Sequence, residues 1–116
     1  MQYINHWPDM AELRLPEPVS RDLFRQLLKP FDSEAAAKEF WQETHTTVIT
    51  LDPSDSITVL KRSDAWSQIE FTLTYPEYSV PLNNGYQLLV AIVNDSGSGI
   101  YLVIPPELSN IISNEV

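Results

Sequence analysis

Within this 116-residue chain, the stretch Tyr75-Pro76-Glu77-Tyr78-Ser79-Val80-Pro81 holds the residue types best suited to recognition chemistry. Two tyrosines flank a carboxylate, and the prolines limit backbone freedom around it. Tyrosine suits an interface because it buries a large rigid ring while keeping a polar tip. Glu70 and Asp95 are the acids that a sheet would carry toward Glu77, and Tyr86 and Tyr101 are further aromatic anchors. The candidate binding set is therefore Glu70, Tyr75, Glu77, Tyr78 and Asp95. The plainer reading makes the tyrosines rim-of-core residues and the acids a solvated face.

Other chemistries have weaker footing. The loop Asn94–Gly99 contains two glycines, but it lacks the Lys-[Ser/Thr] pair and the strand–loop–helix setting of a phosphate cradle. A plain hairpin connection accounts for it. Asp52, Asp55 and Asp95 are hard oxygen ligands without the spacing or bidentate glutamate of a calcium loop. The two histidines, His6 and His45, form no paired motif, and His45 is placed to cap a helix C-terminus. Ser96 and Ser98 have no nucleophile elbow around them. Paired carboxylates of the glycosidase kind are defined by distance in space, which spacing along the chain does not give. No catalytic residue, metal site or cofactor is expected.

Charge is distributed unevenly. From Ser63 to Val116 there is no Lys or Arg, while Asp64, Glu70, Glu77, Asp95, Glu107 and Glu115 contribute six negative charges to the total of −9. Residues 1–62 carry ten acidic against seven basic groups, a net of −3. The carboxyl-terminal half should steer basic partners toward itself. Direct nucleic-acid binding or attachment to an anionic membrane is disfavoured, because both need clustered cations. The chain has no cysteine, which excludes disulfides and thiolate chemistry. Its opening residues resemble no signal peptide, and the longest apolar run, Leu88–Val93, is six residues. A soluble cytoplasmic protein is the expectation.

The elements that must position these residues form one domain over residues 1–116. Residues 1–19 read as a proline-rich docking arm with a short helix near Pro8–Leu13. Ser20 is a candidate N-cap for a helix with Leu23, Phe24, Leu27 and Leu28 on one face, stopped by Pro30. Ser33 caps a second helix with Ala36, Ala37, Phe40 and Trp41 inside. Strands are expected over residues 46–51, 68–75, 78–82, 86–94 and 99–104. For Asp64–Tyr75 the β propensity of Phe71–Tyr75 favours a strand, although Trp66, Ile69 and Leu73 also fit one helical face. Asn83-Asn84-Gly85 is turn chemistry, and Pro105-Pro106 ends the last strand before a short helix over 107–112. Leu23, Phe24, Leu27, Phe40, Trp41, Val48, Ile49, Leu89, Ala91, Val93, Leu102 and Ile104 should supply much of the core. Grouped helices followed by grouped strands predict an α+β fold, with N-terminal helices on one face of a mostly antiparallel sheet of four to five strands.

These features point to a non-enzymatic acidic binding protein that modulates or inhibits a basic protein partner. Immunity proteins, antitoxin-like inhibitors and DNA mimics share this composition, although no motif assigns the chain to one of them. The alternative is an assembly protein that homo-oligomerises through a strand edge or the N-terminal arm. A homodimer would then cover an exposed Trp7.

Overall fold

A computed structural model describes residues 1–93 and 98–109. Asp95, most of the 94–99 loop and the end of the expected last helix lie outside the described residues. The fold is α+β, built on a mixed five-stranded sheet: β1 (Gln2–Ile4), β2 (Thr47–Thr50), β3 (Tyr78–Pro81), β4 (Gln87–Ile92) and β5 (Gly99–Ile104). Their order across the sheet is β1-β2-β5-β4-β3, and β2–β5 is its one parallel pair. Pairing is continuous across one row: Ile4 faces Val48, Val48 faces Tyr101, Tyr101 faces Val90 and Val90 faces Tyr78.

Alternation along the strands separates two apolar clusters. Ile4, Val48, Leu88, Val90 and Val103 point toward α1 (Glu17–Leu28), α2 (Glu34–Glu43) and a 3-10 helix over Trp7–Glu12. Ile49, Ile100, Leu102 and Ile104 point the other way, toward α3 (Ile57–Lys61) and α4 (Trp66–Thr74). The N-terminal helices thus share one face as expected, and the later helices cover the other. Among the described residues no helix is long and apolar enough to cross a membrane.

Local chemistry explains most of the elements. The Ser33 hydroxyl accepts from the Ala36 amide at 3.1 Å, capping α2. Ser56 does the same for α3, accepting from Val59 at 3.2 Å. Ser20, expected to cap α1, is instead inside it. Val19 and Ser20 amides both donate to the Pro16 carbonyl at 3.0 Å, so the helix opens at Glu17. Prolines in a first turn have no amide hydrogen to leave unpaired, which lets Pro16-Glu17-Pro18 start the helix.

The expected strand over 68–75 is α4. Ile69, Thr72 and Leu73 fall on one helical face and are buried, which outweighs the β propensity of the segment. Its threonines are satisfied internally: the Thr72 and Thr74 hydroxyls donate to the Gln68 and Glu70 carbonyls, each at 2.8 Å. The missing strand comes from the arm. Gln2 holds that arm back on itself, donating to the Glu12 carbonyl at 2.8 Å and accepting from the Arg14 amide at 2.7 Å. Trp7 and Met10 of the arm are buried. Of the expected core, Phe24, Phe40 and Leu89 are only half-buried, and Val93 is exposed.

Candidate functional site

Helix α4 stops at Tyr75, whose amide donates to the Phe71 carbonyl at 2.9 Å. Pro76 then turns the chain into the edge strand β3. At this junction Tyr75 is 65% exposed, and its ring lies 5.4 Å from that of Phe71 on the preceding turn. The Glu77 amide donates to the Val90 carbonyl at 2.8 Å although Tyr78 is the strand partner of Val90. Two residues therefore oppose one, the mark of a β-bulge, and the strand bends there. Tyr78 is 44% exposed and stands beside Tyr101. Burial raises the Tyr78 hydroxyl pKa, and burial with Tyr78 alongside pushes Tyr101 up to about 12.

The exposed apolar side chains around this junction divide between the two faces of the sheet: Tyr78 and Ile92 share the face of Val90, which α1 and α2 cover, and Phe71 belongs to α4 on the other. Tyr78 pairs with Val90, two residues before Ile92, so the end of β4 reaches this junction. Phe71, Tyr75, Tyr78, Ile92 and Val93 are five of the seven large apolar side chains exposed among the described residues, the others being Tyr3 and Val59.

Tyr75, Glu77 and Tyr78 are neighbours along the α4–β3 junction, Tyr75 beside Phe71 of α4 and Tyr78 on the sheet face of Val90, and Glu70 is turned away from them. Five residues separate Glu70 from Tyr75, which is about 140° around a helix of 3.6 residues per turn. The Glu70 carboxylate accepts instead from the Trp66 indole at 2.9 Å, on its own flank of α4. Tyr86 also lies elsewhere, before the start of β4 and about 20 Å along that strand from the corner. There, burial first and then the charges of Glu107 and Asp52 raise its pKa. Phe71, Ile92 and Val93 are the corner residues that sequence reasoning missed as surface. The helical period of Trp66, Ile69 and Leu73, which leaves Phe71 off the buried face, was the signal for the first of them.

No ion pair neutralises Glu77 among the described residues. The ion pairs lie elsewhere: the Met1 ammonium binds Asp52 and, at 3.2 Å, Asp55, and Arg25 binds Asp22 at 3.1 Å. Arg14, Arg21, Arg25, Lys29 and Lys38 belong to the arm, α1 and α2, on the sheet face that Tyr78 shares, and Lys61 and Arg62 close α3 in the layer of α4.

A groove of about 580 Å³ lies between the 3-10 helix and α2, bordered by His6, Phe24, Glu34 and Lys38. Its floor is Trp7, packed edge-on against Trp41 at 5.2 Å and Phe24 at 5.9 Å. Trp7 and Trp41 are 6% and 4% exposed, so their ring faces are committed to the core. A neighbouring hollow reaches His45, yet no three metal-ligating groups converge among the described residues. His45 does not cap α2. Thr44 takes that place, its hydroxyl donating to the Phe40 carbonyl at 2.8 Å, while the His45 amide donates to the buried Ser98 hydroxyl at 3.2 Å.

Comparison with protein-family models, with curated proteins and with solved structures gives no match.

Proposed function

We propose that this chain is a non-enzymatic acidic binding protein that docks a basic protein and modulates it through the α4–β3 corner. One observation carries the reading: Glu77, exposed and without a cationic partner among the described residues, lies between the exposed Tyr75 and Tyr78 at the start of an edge strand. Rigid aromatic rings supply the buried contact area, and the surrounding anionic field raises the association rate. The cation-free stretch after Arg62 contributes both of these features.

Capture from native lysate at low and high salt, with wild type and with the Tyr75→Ala/Glu77→Lys/Tyr78→Ala variant, tests the reading. Wild type should retain basic proteins at low salt, lose most of them as screening rises, and outperform the variant several-fold. Equal retention by the variant would exclude the corner. Light scattering addresses assembly. Trp7 is already covered within a single chain, so it is not available to a second copy, whereas Tyr3 of the arm is exposed on the β1 edge. A stable oligomer that dissociates in the Tyr75→Ala/Tyr78→Ala variant would replace the partner reading by self-association.

A further inference from the structure

Edge strands commonly receive partners by adding another strand, which needs outward N–H and C=O groups in alternation. β3 does not offer them. The Leu82 amide donates to the Tyr86 carbonyl at 2.9 Å, and Val80 and Tyr78 face Leu88 and Val90 in the same register. The alternation of antiparallel pairing then turns Tyr78, Val80 and Leu82 inward, and Ser79 and Pro81 outward. Pro81 has no amide hydrogen, and the Glu77 amide is already held by Val90. Ser79 carries the single outward backbone donor of β3. Beside it on the same edge are two outward carbonyls, those of Ser79 and Pro81, and Glu77 is exposed at the start of the strand.

The outward backbone of β3 thus offers more acceptors than donors, with exposed Glu77 and the exposed Tyr75 and Tyr78 beside it. We infer that it is read by guanidinium groups, so that its partner presents an arginine-rich surface rather than a β-strand. This deepens the binding-protein reading and rests on it. A guanidinium carries five donors in a plane, which can bridge a carboxylate and backbone carbonyls while stacking on a tyrosine face. An ammonium has three donors and no plane to stack. The negative charge alone would attract either cation, and the geometry chooses between them.

The test is an amide-resolved NMR titration of the full chain at physiological salt, with two capped peptides of eight cationic residues spaced by glycine. One peptide carries arginine and the other lysine. The arginine peptide should bind about threefold tighter or better, with shifts centred on residues 75–82. Both Glu77→Gln and Tyr75→Ala should reduce that preference. Pro81→Ala restores the missing donor; if the variant, still folded by its spectrum, binds the arginine peptide more tightly, strand addition is operating and the inference is overturned. Equal affinity of the two peptides at the corner also overturns it, while leaving the basic-partner reading intact. Binding of neither peptide, or shifts centred on Asp52–Asp55 and Glu107 instead, defeats both.

Discussion

Tyr101 sits behind Tyr78 in the row of paired residues that crosses the sheet, and its ionisation should limit stability in alkali. Burial, with Tyr78 beside it, places its pKa at about 12 against a reference of 10.0. The folded state therefore holds the proton more tightly than the unfolded chain. Such a group leaves stability unchanged below pH 10 and removes it progressively as pH rises toward 12. A gap of about two pH units, at 1.36 kcal/mol each, corresponds to a loss of about 2–3 kcal/mol across that window. Tyr78 and Tyr86 are shifted in the same direction, so the wild-type loss alone would not identify Tyr101. Urea unfolding at pH 8, 10, 11 and 12 should therefore be run in parallel on Tyr101→Phe. The variant should match wild type within about 1 kcal/mol at pH 8, because no protein group hydrogen-bonds the Tyr101 hydroxyl among the described residues. By pH 12 it should be the more stable protein, by most of the 2–3 kcal/mol. Parallel stability curves from pH 8 to 12 would refute the burial argument and, with it, the placement of Tyr101 behind Tyr78.

Two further substitution pairs separate competing local structures. Ile69→Ala should cost about 2–5 kcal/mol because the side chain is fully buried, whereas Phe71→Ala on the exposed flank should cost under about 1 kcal/mol; in a strand both would share one face, so similar losses in thermal or urea unfolding would contradict helix α4. Ser33→Ala should lower stability by about 1 kcal/mol through loss of the α2 cap, while Ser20→Ala, inside α1, should stay within about 0.5 kcal/mol. The reverse order would restore Ser20 as the cap.

Where one local signal stood unopposed, the sequence was legible. Pro30 and Ser33 delimit α1 and α2 as read, and Asn84 and Gly85 take the positive φ values of 60° and 77° that their turn requires. The β4–β5 pairing was equally open, since its apolar residues lie within the longest such runs. Legibility failed where two signals competed or where none was local. In α4, β-branched and aromatic residues contradict a helical period, and the decision falls to Ile69 and Leu73, which find a sheet face to cover. β1 has three residues and no period of its own; it exists because Ile4 pairs with Val48 and packs with Trp7. The parallel β2–β5 pair joins Thr47 to Ile100 across more than fifty residues, a juxtaposition no nearby motif announces. For the site, the Tyr75–Tyr78 segment was visible because its residues are consecutive. Glu70 was misplaced because its direction depends on whether its segment is a helix.

The charge asymmetry read along the chain takes a different form in space. Lys61 and Arg62 close α3, in the same layer as α4, so the cation-free half of the sequence does not coincide with one whole layer of the fold. At the beginning of β3, Glu77 has no ion-pair partner among the described residues. β3 is one of the sheet's two edges, β1 being the other, and it has aromatic flanks. Pro81 on its outward side and the bulge at Glu77–Tyr78 both discourage a second copy from pairing there. Neither device obstructs the side-chain surface of Tyr75, Glu77 and Tyr78. Discouraging strand addition while leaving rings and carboxylate accessible favours, at this edge, a partner recognised by its cationic side chains over assembly through β3.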